Sequence, residues 1–266
     1  MIRDFKNVKR IVVKIGSSSL TYSNTHKLNI DRIDRLAKEI SDIMNSGIEV
    51  ILVSSGAIAT GMARVKVESK PKALAKKQAL ASVGQSSLME IYNKCFADYG
   101  YVVGQLLLTR YIIDHNQMKE NAQNCINEML KMGIIPIINE NDAISVDEIK
   151  LGDNDNLSSI VSHLVKADLL ILLSDIDGLF DKDPNIYEDA RKIEVVEDLS
   201  ALNINLGTTK STLGTGGIET KLQACEDATM AGIDCVIANA SNIHAIKQIL
   251  SNKPTGTLFK KKVETN

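Results

Sequence analysis

Proline is scarce in this chain, four in 266 residues, and no Pro/Gly/Ser-rich stretch or internal repeat breaks it up. A chain of this length makes one large α/β domain or two small ones, and without a linker one domain over residues 1–266 is expected. Positive charge is not in excess either. The formal net charge is −2, which leaves no basic footprint for nucleic acid, and Lys260-Lys261-Lys262 reads as a solvated tail. The four cysteines (Cys95, Cys125, Cys225 and Cys235) form no CxxC pair and no metal spacing, so they read as small core residues in a reducing cytoplasm. The four histidines are scattered. No run approaches membrane-spanning length, and the charged N-terminus lacks a signal peptide's apolar core.

Strand and helix patterns alternate along the chain. Strands are expected at Ile11–Ile15, Glu49–Val53, Tyr101–Leu108, Ile134–Ile138, Asp168–Leu173 and Cys235–Ala238. Ile30, Ile33, Leu36, Ala37, Ile40, Ile43 and Met44 fall at helical spacing, and a second long helix is expected over about residues 72–98. Its Leu74, Leu80, Leu88, Met89 and Ile91 suit a core or a subunit contact better than a ligand surface. Such alternation means a mostly parallel sheet with helices on both faces.

Three segments carry candidate chemistry. Gly214-Thr215-Gly216-Gly217-Ile218-Glu219-Thr220-Lys221 packs three glycines ahead of a helical pattern, with a lysine one turn in. Glycines let backbone N–H groups crowd around an anion, and a helix start adds partial positive charge there. The spacing fits neither a Walker A loop nor a dinucleotide fingerprint. By itself the segment suits a phosphate site and an ordinary surface loop equally well. In the second segment, Lys14 closes an apolar strand just before Gly16-Ser17-Ser18-Ser19. That is the carboxyl end of a strand, where open α/β sheets bind ligands, and a Gly/Ser turn there can nest an anion. In the third, Ile134 to Ile138 empties into Asn139-Glu140-Asn141-Asp142, and Gly152-Asp153-Asn154-Asp155-Asn156 opens a helix. Capping explains one or two of these polar residues, not all of them. A calcium loop is excluded, because its glycine and closing glutamate are missing.

Together with Ser54-Ser55-Gly56-Ala57 and Gly104-Gln105-Leu106-Leu107-Leu108-Thr109, these motifs occur in an order that resembles the amino acid kinase family, and within it the glutamate 5-kinases. The resemblance runs from Lys9 to Phe259. It implies a three-layer αβα sandwich, with nucleotide in the C-terminal half and acceptor in the N-terminal half. The reaction implied is transfer of the ATP γ-phosphoryl group to the side-chain carboxylate of L-glutamate, the first step of proline biosynthesis. Lys14 and Lys221 resemble the family's transition-state lysines, and Asp155 the aspartate that orients both. Lys14, Gly16, Ser174, Asp175 and the run Thr215, Gly216, Gly217, Ile218, Glu219, Thr220 and Lys221 resemble its nucleotide-binding positions. Ser55, Asp142 and Asn154 correspond to glutamate-binding positions. Mg²⁺ is expected to be held mainly through ATP, with no dedicated protein ligands. The resemblance also implies feedback inhibition by proline and a homo-oligomer, dimer or tetramer. Many glutamate 5-kinases carry a C-terminal PUA domain, and a chain without one is expected here.

The chemistry implied needs no general base, since a glutamate side chain with pKa near ~4.3 is already ionised at neutral pH. The problem is bringing an anion to a polyanion, which calls for positioning and charge neutralisation. A family member with another acceptor (N-acetylglutamate, carbamate, UMP or aspartate) is the near alternative, and Asn139 to Asp142 argues against it. A nucleotide- or amino-acid-binding sensor would not need Lys14, Asp155 and Lys221 together.

Overall fold

Ten strands and nine helices are formed by the residues that the computed structural model describes, which are 3–22, 27–145, 154–182, 184, 186–199 and 217–262. In chain order they begin β1 (Arg10–Ile15), α1 (Ser17–Leu20), α2 (Ile30–Asn45), β2 (Glu49–Ser54), α3 (Ala57–Val65), α4 (Leu74–Ala97) and β3 (Val103–Leu108). Next come α5 (Arg110–Asp114), α6 (Asn116–Lys131), β4 (Ile135–Glu140), α7 (Asn154–Leu164) and β5 (Leu169–Ser174). The chain then runs through β6 (Leu179–Phe180), β7 (Lys192–Ile193), β8 (Val195–Val196), α8 (Ile218–Met230), β9 (Asp234–Asn239), α9 (Ala245–Leu250) and β10 (Thr257–Phe259).

Eight strands make one sheet in the order β3-β4-β2-β1-β5-β9-β10-β8, and β6 pairs with β7 as a separate ribbon. The six strands from β3 to β9 are mutually parallel, whereas β10 runs antiparallel to β9. All six expected strands and both expected helices are present within a few residues of their expected bounds. The continuous apolar runs are explained by burial on both faces. Ile11, Val13 and Ile15 of β1 pack with α2, α4 and α9, while Val12 packs with α6, α7 and α8. The result is the three-layer αβα sandwich.

This two-residue alternation decides where the polar side chains go. Lys14 shares the face of Val12 and meets α7 and α8. Ser54 shares the face of Val50 and Leu52 and meets α4. Parallel pairing also stacks the strand ends, with Ile15 beside Ser54 and Leu173, and Val53 beside Ile138. The polar residues that follow β1, β2, β4 and β5 therefore open on one edge of the sheet.

Two helices meet at their backbones. A methyl group on Gly84 of α4 would lie 1.7 Å from the carbonyl oxygen of Ala57, and one on Gly61 of α3 would lie 1.9 Å from that of Leu80. Only glycine permits this crossing, and it brings α4 hard against the start of α3. One cysteine departs from expectation. Cys125 is exposed, because on α6 it falls outside the buried stripe of Ala122, Ile126 and Leu130.

Glu39 of α2 is buried, and its Oε1 accepts the backbone N–H of Lys247 in the first turn of α9 (3.0 Å). Burial pushes its carboxyl up to about 7, against the smaller opposing effects of that backbone N–H and the Lys247 charge. A carboxyl raised from 4.5 favours the folded state while protonated, so this contribution is full below about 4.5 and is lost as pH rises through about 7. Between pH 5 and pH 8 the protein is expected to lose on the order of 2–3 kcal/mol more stability than its Glu39→Gln variant. Urea midpoints of the two at both pH values measure the difference, and equal losses would refute the assignment.

Candidate active site

Three charged side chains meet beneath the carboxyl edge of the sheet. Lys14 Nζ lies 2.6 Å from Asp155 Oδ1, and Lys221 Nζ donates to Asp155 Oδ2 at 3.2 Å. Lys14, from β1, and Lys221, one turn into α8, thus approach one carboxylate of α7 from two sides. All three are buried, Asp155 completely. Burial alone would raise the Asp155 carboxyl, but the two ammonium groups outweigh it and hold its pKa below the ordinary value. Thr220 adds a hydroxyl contact to Oδ2 at 3.3 Å while also donating to Gly217 O. Asp155 lies inside the first turn of α7, which starts at Asn154, so its side chain serves the lysines rather than capping the helix.

The formal charges of this trio sum to +1. Among the described residues, two glycines lie beside it. A Cβ on Gly16 would touch Lys14 Nζ at 3.5 Å, and one on Gly217 would meet nothing within 4 Å. Gly217, the N-cap of α8, has no side chain to cap that helix with. Two buried lysines, glycine turns and a helix start together suit phosphate oxygens. ATP fits these residues.

Asn154, next to Asp155, organises a second group. Its Nδ2 donates to Ser55 Oγ (2.8 Å), Asn139 Oδ1 (2.8 Å) and Ser54 O (3.1 Å). Asn139 in turn donates to Gln85 Oε1 (2.9 Å), and Gln85 donates to Gln105 Oε1 (2.8 Å). These five side chains come from five different strands, strand ends or helices, and the amides run in an unbroken line to a cavity of about 700 Å³. Asp142 lines that cavity with Gln85, Gln105, Glu140 and Asn141, whereas Ser55 and Asn154 are not in its wall.

The remaining candidates are placed as follows. Ser174 Oγ donates to Asp175 Oδ1 (3.0 Å) at the end of β5, the strand beside β1. Ile218 packs into the core under α8, and Glu219 is exposed. Thr215 and Gly216, with Gly214, Gly152 and Asp153, lie outside the described residues. Gln85 and Tyr92 were not singled out from the sequence. Gln85 sits in an ordinary helical run, and no spacing signals that its amide points at Asn139.

The model of the amino acid kinase family matches residues 9–239. The chain belongs to the amino acid kinase family. Glutamate 5-kinase of Clostridium perfringens is 50% identical over 97% of this chain and 98% of that protein. That of Lactococcus lactis is 49% identical over 98% of each. The longer glutamate 5-kinase of Caldanaerobacter subterraneus is 48% identical, with 94% of this chain matching 67% of it. Among solved structures, an isopentenyl phosphate kinase superposes with a TM-score of 0.66 at 17% identity, covering 94% of this chain and all of that one. UMP kinase from Bacillus anthracis superposes with a TM-score of 0.65 at 15% identity, covering 96% and 97%. At these identities the structures speak for the amino acid kinase fold alone. No helix among the described residues is long and apolar enough to cross a membrane.

Proposed function

We propose that this chain phosphorylates the side-chain carboxylate of L-glutamate with ATP, giving γ-glutamyl phosphate and ADP, the step that opens proline biosynthesis. The observation that carries this reading is the buried Lys14–Asp155–Lys221 trio beside Ser55 and Asn154. In-line transfer between two anions needs cations on both reacting groups. Lys14 at the β1 end and Lys221 at the α8 start take up charge on the transferring phosphoryl group, and Asp155 fixes the distance between them. Gly16, Gly217 and the N–H groups of α8 receive phosphate oxygens, with Ser174 and Asp175 on the nucleotide side. When bound, Mg²⁺ supplies further charge neutralisation on the ATP phosphates and keeps several waters. Acceptor binding falls to the N-terminal half, where Ser55, Asn154 and Asp142 hold glutamate. Asp142 takes the α-ammonium, a group that N-acetylglutamate lacks.

On this reading the enzyme works in the cytoplasm as a homo-oligomer. Proline, which shares the α-carboxylate and charged amine of glutamate, binds at or beside the same acceptor residues. The test is a rate grid with hydroxylamine as trap. L-Glutamate and Mg-ATP are expected to give γ-glutamyl hydroxamate, N-acetylglutamate little, and Asp142→Ala a raised KM for glutamate. Added proline raises the apparent KM for glutamate and leaves that for ATP nearly unchanged. Equal turnover of N-acetylglutamate would sink the substrate assignment, and inhibition competitive only with ATP would remove proline from this pocket.

A further inference from the structure

We propose that Tyr92 of α4 is a positioning residue for the acceptor side of the site, acting through Ser54 and Ser55 from the opposite face of the sheet. It rests on the proposed role of Ser55 and Asn154 in holding the acceptor. Tyr92 is fully buried in the apolar layer that also holds Leu88, Cys95 and Phe96. A core that needed only a ring would take phenylalanine, as it does one turn later at Phe96, whose centroid lies 6.3 Å away. A buried hydroxyl is costly unless it is bonded. That of Tyr92 lies 2.8 Å from Ser54 Oγ. Ser54 Oγ itself donates to the carbonyl of Ser55 at 3.1 Å, which leaves Tyr92 Oη as the donor to Ser54.

The alternation of β2 gives this contact its reach. Ser54 and Ser55 point to opposite faces, Ser54 toward α4 and Ser55 toward α7. Asn154 holds both residues, through Ser54 O and Ser55 Oγ. Ser55 N also donates to Ile15 O, one residue before Gly16. Ser55 is therefore held at three points: its carbonyl by Ser54 Oγ, which Tyr92 contacts in turn, its Oγ by Asn154, and its N–H by β1. Of these, the Tyr92–Ser54 contact fixes the Ser55 carbonyl, and through it the backbone rotation that aims Ser55 Oγ at the acceptor. Removing the Tyr92 hydroxyl frees Ser54 Oγ to turn and loosens Ser55, while Lys14, Asp155 and Lys221 on the other face keep their contacts.

Steady-state kinetics in a double-mutant cycle test this. Tyr92→Phe is expected to raise the KM for glutamate about five- to tenfold, the worth of one buried hydrogen bond, with kcat and the KM for ATP within about twofold. Ser54→Ala, which removes the receiving oxygen and leaves the ring in place, gives the same pattern should the tyrosine variant fold poorly. In an Asn154→Ala background, Tyr92→Phe adds no further rise, because both act on Ser55. Three results overturn the proposal. One is an unchanged glutamate KM in Tyr92→Phe and Ser54→Ala while Asn154→Ala raises it, which leaves the acceptor site standing. A second is an equal effect of Tyr92→Phe in both backgrounds, or a parallel fall in kcat and both affinities, which marks a general packing role. The third is an Asn154→Ala variant with normal glutamate KM, in which case the acceptor reading falls and this one with it.

Discussion

Lys14→Ala is expected to lower kcat by on the order of 10²–10³, the usual cost of removing one preorganised group that stabilises transition-state charge. The effect on nucleotide KM is smaller, since the lysine acts more on charge developing during transfer than on bound ATP. The geometry supports so large a value. Lys14 is buried, lies 2.6 Å from the carboxylate that orients it, and sits on a central strand. Lys221→Ala is expected to cost a similar factor from the α8 side. Initial rates across an ATP and glutamate grid measure both. A Lys14→Ala enzyme with near-normal kcat would remove it from the reaction and leave the trio as a structural ion cluster.

Asp155→Asn is expected to reproduce most of that loss and to destabilise the fold as well. Asp155 is completely buried, and it is the only carboxylate to which both Lys14 and Lys221 are salt-bridged among the described residues. Neutralising it leaves two like charges facing each other in a desolvated site. Breaking a buried ion pair by removing one partner costs on the order of 3–5 kcal/mol. The sign of the pH dependence follows from the depressed carboxyl. A group whose folded pKa lies below its unfolded value contributes stability above the unfolded value, and loses that contribution as pH falls through the folded one. The variant should therefore be clearly less stable than the wild type at pH 7 and approach it as pH drops below about 4, near the ordinary carboxylate value. Urea unfolding across that range, with kcat measured at pH 7, checks both parts. A variant as stable as the wild type at neutral pH, with kcat intact, would show that the two lysines need no organiser.

Much of this protein was legible as pattern. The apolar runs around Val12, Ile51, Ile137 and Ile171 read as strands buried on both faces, because a surface strand would alternate with polar residues. Lys14 stood out since a Gly/Ser turn able to nest an anion follows it, which a lysine snorkelling out of an edge strand seldom has. Asn139 to Asp142 and Asn154 to Asp155 stood out since capping uses too few of them. The bounds of the helix at Asn154 were less clear, and with them the distinction between Asp155 as a cap and Asp155 as a partner for lysines. Spacing alone does not say which way a side chain in the first turn points.

By itself, then, the sequence determined the strand and helix order and the residues able to carry charge or bind phosphate, because local periodicity and residue chemistry are written in it directly. Tertiary structure alone decided which of them meet. Lys14, Asp155 and Lys221 are separated by more than sixty residues at each step and converge because parallel pairing of β1 with β2 and β5 puts their ends in register under α7 and α8. Tyr92 and Gln85 read as ordinary helix residues until the Gly61–Gly84 crossing presses α4 onto the start of α3 and carries their polar atoms to Ser54 and Asn139. Hydrogen bonds of this kind depend on ångström distances between elements remote in sequence, and no local pattern encodes those.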